Sequence, residues 1–235
     1  MLIYGKNVAV EKLKTKDKIN KIYLSTKFKD KEILDLIEKR NINVKLLDNH
    51  ELDKMCKGLH QGIILDIEDI KTYTIDEVIP NINKEYPLIV ILDHLEDPHN
   101  FGAIIRSSEA FGVDAIIIPN DRAVDITSTV VKTSVGTIDK MKIIKVANIN
   151  NAIQKLKDYG YWIVGTDMEG EVYTTIDYKT KIALVIGNEG KGISNLVSKN
   201  CDYLAKIPMI GTVNSLNASV ACGIFLAEIN NIRGN

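Results

Sequence analysis

The second half of the chain carries short apolar runs that alternate with amphipathic segments. The runs are the strand candidates Leu88–Leu92, Ala115–Ile118, Lys142–Val146, Trp162–Val164, Ile182–Ile186 and the shorter Tyr203–Ile207. The amphipathic segments are the helix candidates Asn100–Phe111, Thr127–Val135, Asn148–Tyr159 and Ile193–Lys199. Several runs are apolar throughout, which is typical of parallel strands covered on both faces. The alternation predicts a doubly wound α/β sheet with a ligand crevice at the carboxyl ends of its strands.

The last apolar segment, residues 207–229, passes from a strand end through a loop of small and polar residues into a helix. The apolar face of that helix follows the i, i+3, i+4 pattern. Ser215 and Asn217 lie where helix N-caps are expected, so that free backbone N–H groups would point at whatever fills the loop. The pattern alone fits equally a C-terminal helix that only packs on a sheet.

The first seventy residues show a similar alternation on a smaller scale. Helices are predicted at Gly5–Lys14, Lys31–Arg40 and Glu51–Lys57, and strands at Lys21–Ser25, Asn43–Leu47 and Gly62–Ile67. They predict a small α/β unit. The strand pattern is then lost, and Pro80 and Pro87 follow, so we predict a domain at 1–70, a linker at 71–87 with one short helix at Ile75–Ile79, and a second domain at 88–235.

Composition narrows the class of protein. The 235 residues are 45% hydrophobic and 26% charged, as in ordinary globular proteins, and the net charge of -1 excludes a uniformly basic nucleic-acid coat. Any RNA contact must therefore come from local patches. Three scattered cysteines predict neither a disulfide framework nor a metal site. With no signal-peptide pattern and no membrane-length apolar run, we expect a cytoplasmic protein without membrane contact.

Three polar segments follow strand candidates: 93–112, 187–192 and 208–217. In the first, Arg106 is either a donor to phosphate or carboxylate or an ion-pair partner of Glu109. The second has the spacing G-x-x-G-x-G, which is neither the dinucleotide fingerprint nor the P-loop and disfavours a nucleotide-binding oxidoreductase. In the first domain, His60-Gln61-Gly62 is either a solvated turn or a contact to a base or phosphate.

Together the segments DPHNFGAIIRSSEAFG (97–112), LVIGNEGKGIS (184–194) and IPMIGTVNSLNASVACGI (207–224) resemble the three motifs of the SpoU (TrmH) class of SPOUT RNA methyltransferases. Residues 5–11 and 60–62 resemble that class's N-terminal substrate-recognition domain, which has the fold of small ribosomal proteins that bind RNA turns. The resemblance covers nearly the whole chain. It is greatest to the RlmB group, which methylates a guanosine 2′-hydroxyl in 23S ribosomal RNA.

The resemblance implies a C-terminal Rossmann-like sheet closed by a deep trefoil knot, which is rare among folds. It implies that the knot binds S-adenosylmethionine and that a homodimer completes the active site, without a metal. The implied cofactor contacts are the backbone around Gly187, Ile207 and Leu216, with Thr166, Met209, Asn217 and Ala218 close by. The implied catalytic or substrate-orienting residues are Asn100, Arg106, Glu189, Ser215 and Asn217.

The chemistry leaves the proton acceptor open. The resemblance makes Arg106 the acceptor, but a guanidinium stays protonated up to a pKa above about 12. A role in stabilising the alkoxide or gripping a phosphate, with Glu189 orienting the arginine, agrees better with its chemistry. His99 is the other candidate base. A tRNA ribose methyltransferase and a non-catalytic RNA-binding or ribosome assembly protein remain as alternative functions.

Overall fold

The computed structural model describes residues 1–15, 18–56, 58–134, 136–213 and 215–234. The strands are β1 Leu2–Tyr4, β2 Ile19–Ser25, β3 Val44–Leu47, β4 Ile63–Ile67, β5 Thr72–Tyr73, β6 Leu88–Leu92, β7 Ala115–Pro119, β8 Lys142–Val146, β9 Trp162–Val172, β10 Ile182–Ile186 and β11 Tyr203–Lys206. The α-helices are α1 Lys6–Lys14, α2 Lys31–Arg40, α3 Asn49–Met55, α4 Ile75–Val78, α5 Pro98–Ala110, α6 Ser128–Thr133, α7 Ile149–Asp158, α8 Asn195–Asn200 and α9 Ala218–Arg233. Lys57 and Val135, the predicted last residues of two helices, lie outside the described residues.

The first of two compact units comprises Met1–Ile70 and Ile126–Ile138. Its sheet has the order β1-β4-β2-β3, in which β4 is antiparallel to both neighbours and β2 is parallel to β3. Helix α2 begins where the Asp30 carboxylate accepts a hydrogen bond from the Ile33 amide, and it ends at Asn41 in the left-handed conformation. The α/β interpretation of this unit is confirmed.

The second unit comprises Lys71–Asp125 and Asp139–Asn235 and contains a sheet in the order β11-β9-β10-β6-β7-β8-β5. Every strand pair in this sheet is parallel. Strands β6, β7 and β10 are buried at every residue, because helices cover both faces of the sheet. Alternate residues such as Ile89 and Val185 pack with α4, α7 and α8, and α5 packs on α9. The predicted α/β sheet is confirmed.

Two predicted boundaries differ from the structure. The sequence predicts a linker at 71–87, but β5 pairs with β8, and Ile75 and Val78 of α4 lie in the core of the second unit. It places residues 126–138 in the second domain, but they pack with the first unit. Both departures arise because short, weakly periodic segments are placed by tertiary packing rather than by local sequence. Within the described ranges, none of the helices has the length and apolar character needed to cross a membrane.

Candidate functional site

Four neighbouring strands of the second unit, β11, β9, β10 and β6, reach the same edge of the sheet. Gly165 of β9 is in register with Val185 of β10 and with Leu204 of β11. Since the strands are parallel, the residues just beyond this line lie together at the carboxyl edge. Thr166, Gly187 and Ile207, which are predicted from distant parts of the sequence to hold a cofactor, all follow it. The edge continues into β6, which pairs with β10 up to Leu92.

Strand β9 leaves the ladder at this edge. β11 pairs with Val164 and Gly165, and then with Glu171 and Val172, so the residues from 166 to 170 form a bulge. The backbone of Gly170 lies against β11, because a Cβ there would come within 2.2 Å of the Leu204 carbonyl oxygen. The sequence predicts only the first residues of β9, since the bulge interrupts the apolar pattern that marks a strand.

The glycine loop after β10 is folded tightly on itself. The Asn188 and Gly192 backbones exchange hydrogen bonds of 3.0 and 2.9 Å. A Cβ at Gly187 would lie 2.2 Å from the Gly192 carbonyl carbon, and Gly192 has a φ of 66°. Both positions therefore require glycine. The Asn188 side chain donates to the His94 carbonyl oxygen at 2.9 Å, which ties the loop to the end of β6.

Asp93, which the sequence analysis did not single out, secures the same loop. Its side chain is 1% exposed, and its Oδ2 accepts a hydrogen bond of 2.6 Å from the Ser194 amide. Its Oδ1 lies 2.6 Å from Nδ1 of His94, whose φ is 57°. The only sequence signal for this role is a carboxylate placed directly after an entirely apolar strand.

Asn100 joins the three motifs through its side-chain amide. Its Nδ2 donates to Oε1 of Glu189 at 2.7 Å, and its Oδ1 accepts from Nδ2 of Asn217 at 2.9 Å. Ser219 also donates to Oδ1 of Asn100, at 3.3 Å, and to Oδ1 of Asn217, at 2.6 Å. Asn100 is 7% exposed, so the amide at the centre of the network is shielded from competing water, whereas Asn217 at one end is exposed. Three residues distant in sequence therefore lie in one hydrogen-bonded chain.

Asn217 has a second role as the N-cap of α9. Its Oδ1 accepts hydrogen bonds from the backbone amides of Ser219 at 2.9 Å and Val220 at 3.3 Å. The N-cap predicted at Asn217 is confirmed. Ser215 does not cap the helix; it is exposed and forms no hydrogen bond with another described residue. Ser219, which sequence reasoning missed, is the hydroxyl that contacts the network instead.

Arg106 is exposed on α5, and its guanidinium makes no hydrogen bond or ion pair with the rest of the described chain. Glu109, its alternative partner from the sequence, pairs instead with Lys140 at 3.2 Å. The Glu189 carboxylate accepts from Asn100 rather than from Arg106. The guanidinium is therefore available to an incoming anion. His99 is also exposed, near the start of α5.

The backbone at the predicted cofactor positions carries polar groups without partners among the described residues. Gly187 is buried, yet neither its N–H nor its carbonyl is paired with another described residue. The backbones of Ile207 and Leu216, which are half-buried and lie outside strands and helices, likewise make no backbone hydrogen bond with another described residue. Buried backbone groups ordinarily have partners, so the Gly187 backbone can bind an incoming polar group. Met209 is half-buried in the loop after β11, and Ala218 is buried at the start of α9.

Acidic and thiol side chains do not cluster in a way that suggests a metal centre. Across the described ranges, no group of three or more His, Cys, Asp or Glu residues is arranged to hold a metal ion. Burial raises the pKa of the Cys222 thiol to about 12, and it raises that of Cys201 to the same value with a smaller contribution from Asp202. Neither sulfur is therefore a thiolate near neutral pH.

Comparisons with known proteins agree with this geometry. Residues 87–227 match the SpoU rRNA Methylase family, and residues 2–73 match the RNA 2'-O ribose methyltransferase substrate binding family. A Bacillus subtilis protein, YacO, which carries the name of a TrmH family tRNA/rRNA methyltransferase, is 38% identical over 97% of this chain and 94% of its own.

Two solved structures share the fold. The SpoU methyltransferase AviRb from Streptomyces viridochromogenes superposes with a TM-score of 0.82 at 24% identity, over 99% of this chain and 89% of its own. An AdoMet-bound rRNA methyltransferase from Sinorhizobium meliloti superposes with a TM-score of 0.79 at 25% identity, over 98% of this chain and 86% of its own. The expected cofactor, S-adenosylmethionine, is thus confirmed for the family. The glycine loop, the Asn100 network and both sequence matches lead to one conclusion: the chain belongs to the SpoU (TrmH) family of RNA methyltransferases.

Proposed function

We propose that this protein transfers a methyl group from S-adenosylmethionine to the ribose 2′-hydroxyl of a guanosine in 23S ribosomal RNA, in the cytoplasm. The observation that carries the proposal is the match of residues 2–73 to the substrate-binding family of RNA 2'-O ribose methyltransferases. A second support is the Asn100 network, which joins the three motifs at the carboxyl edge of the sheet.

The cofactor supplies an activated methyl group, and the chain's part is to hold the two reactants in line. Unpaired backbone groups at Gly187, Ile207 and Leu216 bind the adenosine, with Thr166, Met209, Asn217 and Ala218 around it. Holding two reactants in alignment lowers the activation free energy of a displacement reaction by several kcal/mol, and by about 7–11 kcal/mol in the best oriented cases. Orientation of the two reactants is therefore the main way in which the protein accelerates the transfer.

The catalytic assignments follow from charge and position. Arg106 stabilises the developing alkoxide or grips a neighbouring phosphate, because its guanidinium has no other partner in the described chain. Asn100, held between Glu189 and Asn217, orients the ribose, and Ser215 contacts the substrate from the loop before α9. His99 is the alternative proton acceptor, since a neutral imidazole can take up a proton.

The knot and the dimer belong to the proposal as well. In the SpoU family the segment from β11 to α9 threads through a loop of the chain, and two protomers complete the active site. We infer the same trefoil knot and homodimer here. The inference is supported by α9, which returns to pack on α5 after the long loop at 207–217. Light scattering on the purified protein tests the homodimer directly.

A tRNA ribose methyltransferase is the second candidate, because the name of the similar Bacillus subtilis protein includes both RNA classes. The substrate-binding unit favours ribosomal RNA by resemblance. A non-catalytic RNA-binding or assembly protein is less consistent with the site, since Asn100, Glu189 and Asn217 keep a connected arrangement that RNA binding alone does not need.

The test is a map of 2′-O-methyl groups in cellular RNA with and without the protein. We expect one guanosine in 23S ribosomal RNA to lose its methyl group when the protein is removed and to regain it on complementation. An Asn100→Ala gene serves as the matched control and should not restore the mark. Loss of a methyl group from tRNA instead would favour the second candidate.

A further inference from the structure

The first unit contains an open groove whose side chains have no part in methyl transfer as described above. Its volume is about 750 Å³, and it is lined by Lys6, Ser25, Lys27, Phe28, Lys29, Asp30, Lys31, Asn49, Leu59, His60, Gln61 and Gly62. Four of these side chains are cationic and one is anionic. The groove is therefore a local positive patch on a chain whose net charge is -1.

Gln61 lines the groove, and one hydrogen bond orients its side-chain amide. The backbone N–H of Lys6 donates to Oε1 of Gln61 at 2.9 Å, which fixes which end of the amide is the oxygen. The Nε2 group then carries two N–H donors that are not used by another described residue. Gln61 has a φ of 53°, a left-handed conformation that its turn must hold in place.

Asn49, which also lines the groove, repeats this arrangement. Ser25 Oγ accepts a hydrogen bond of 3.2 Å from the Lys27 amide and donates one of 2.7 Å to Oδ1 of Asn49. The carbonyl end of the Asn49 amide is thereby occupied, and its Nδ2 keeps two donors for a ligand. Two amide groups thus offer donors in fixed orientations.

His60 keeps the turn beneath Gln61 rigid. Its ring accepts a hydrogen bond at Nδ1 from the Gly62 amide at 2.9 Å, so the proton of the neutral ring lies on Nε2, 2.9 Å from Oδ1 of Asp53. His60 is 8% exposed. A Cβ on Gly62 would lie 3.0 Å from the Phe28 ring, so the turn packs closely against that aromatic residue. The groove is preformed.

Apolar surface completes the groove. Phe28 is half-buried, and the Lys6 ammonium lies 5.4 Å from its ring centroid and 2.9 Å from Asp30. Leu59, which also lines the groove, is 72% exposed. Flat apolar surface next to cations and fixed donors suits an unpaired nucleotide, whose base has an apolar face, acceptor atoms at its edge and a phosphate.

We propose that this groove binds one unpaired nucleotide of the RNA substrate. The base lies against Phe28 and Leu59, its acceptor atoms receive hydrogen bonds from the Gln61 and Asn49 amides, and the flanking phosphates contact Lys27, Lys29 and Lys31. The proposal rests on the proposed function only in that the ligand is RNA. It goes further in assigning base recognition, rather than phosphate binding alone, to the first unit.

The experiment compares two labelled single-stranded RNAs, each about ten nucleotides long, that differ only in whether the central residues carry bases. Affinities of the full-length protein are measured by fluorescence anisotropy. We expect the RNA with bases to bind roughly tenfold more tightly than the abasic RNA, because stacking and base contacts are lost in the latter. If the unsubstituted protein binds the two RNAs with nearly equal affinity, the proposal is overturned.

The variants Gln61→Glu and Asn49→Asp keep the acceptor oxygens that their neighbours use and replace the free donors with an acceptor. If the substituted amide donates to a base acceptor, each variant should lower the ratio of the affinity for the RNA with bases to that for the abasic RNA at least about fivefold. Their added negative charge weakens both RNAs alike and cancels in the ratio. Asn43→Asp, an exposed amide outside the groove lining, is the matched control and should leave the ratio unchanged. An unchanged ratio in both groove variants, with normal melting temperatures, contradicts base recognition.

Lys29→Ala separates phosphate contacts from base contacts. It should weaken both RNAs equally and reduce the slope of log affinity against log salt by about one. Methyl transfer to ribosomal RNA is measured on the same preparations. Transfer without base discrimination defeats the groove proposal alone, whereas base discrimination without transfer to any RNA defeats the proposed function alone.

Discussion

Asn100 connects segments that are far apart in the sequence, and its amide has a fixed polarity. Its nitrogen must donate to the Glu189 carboxylate, so its oxygen faces Asn217 and Ser219. A hydrogen bond to a charged group contributes about 1.5–3 kcal/mol when buried. The orientation of Glu189 and the capping residue of α9 therefore depend on one amide.

We predict that Asn100→Asp destabilises the second unit in a pH-dependent way. The new carboxylate would lie beside Glu189, because Nδ2 of Asn100 is now 2.7 Å from Oε1 of Glu189. Two carboxylates at such a distance repel each other when charged, so the pKa of the pair in the folded variant is raised. A folded-state pKa above the unfolded value means that stability falls as pH rises past the ordinary carboxyl range of about 4. The loss should be about 1.5–3 kcal/mol near neutral pH and smaller in acid.

The measurement for this variant is denaturant unfolding at several pH values. Asn151→Asp, at an exposed position on α7, makes the same chemical change without a carboxylate neighbour of this kind. Its stability should stay close to that of the natural sequence. A loss in Asn100→Asp that is independent of pH would contradict the contact between the two side chains.

Arg106 is predicted to act on the transition state rather than on the cofactor. Arg106→Ala should reduce methyl transfer at least about a hundredfold, because a charged group that stabilises a developing anion has gone. Titration calorimetry should give unchanged S-adenosylmethionine affinity, since the unpaired backbone groups remain. Near-normal turnover in this variant would show that the assignment is wrong.

The sequence predicted some residues of the candidate site and missed others. The resemblance named Asn100, Glu189 and Asn217, which the structure brings into contact, because motif residues carry family information that periodicity lacks. It missed Asp93 and Ser219. Asp93 accepts from the distant Ser194 amide and Ser219 contacts the distant Asn100 side chain, and neither the spacing of apolar residues nor residue type indicates such long-range hydrogen bonds.

Helix α9 is held at its far end by an arginine. The Arg233 guanidinium donates to the carbonyl oxygens of Tyr178 at 2.9 Å, Tyr86 at 2.8 Å and Thr180 at 3.0 Å. Burial lowers the pKa of Arg233, with Asp114 acting in the opposite direction. Three carbonyls of two loops thus share one cation at the end of the chain's last helix.

We predict that Arg233→Lys lowers the free energy of unfolding by about 1–3 kcal/mol, because an ammonium cannot serve all three carbonyls in this planar arrangement. Denaturant unfolding gives the value. Arg106→Lys makes the same change at an exposed arginine and should leave stability nearly unchanged. If the two substitutions lowered the free energy of unfolding equally, the three hydrogen bonds of Arg233 would not stabilise the fold as proposed.

The cysteine of α9 reports on the packing of that helix. Cys222 is fully buried, and burial raises its pKa to about 12. A thiol reagent should therefore modify Cys222 only when the protein unfolds. With the reagent in excess, unfolding limits the rate of modification, so that rate should not depend on reagent concentration. Mass spectrometry of labelled peptides identifies the site. Rapid labelling of Cys222 in the native protein would contradict the burial of this face.

Helices and strands with strong periodicity were predicted well. β6, β8, β10 and α2 have the bounds expected from sequence, because long apolar or amphipathic patterns determine them. The bulge of β9 and the place of β5 were not predicted. A two-residue strand and a five-position register shift are fixed by neighbouring strands rather than by their own residues.

The second unit carries the sheet edge at which we propose cofactor binding, and the first unit carries a positively charged groove. The near-zero net charge of the chain means that RNA affinity must come from local groups, so affinity should fall steeply with salt while retaining a base-dependent part. The trefoil knot that we infer from the family could not have been derived from periodicity, since threading of the chain leaves no trace in the spacing of apolar residues.

Methyl transfer in vitro tests the central claim most directly. Purified protein, S-adenosylmethionine with a labelled methyl group and either unmodified 23S ribosomal RNA or tRNA are incubated, and the modified nucleoside is identified by mass spectrometry after digestion. We predict label in 2′-O-methylguanosine from 23S ribosomal RNA. Label on a nucleobase, or no transfer to either RNA by protein that binds the cofactor, would contradict the account.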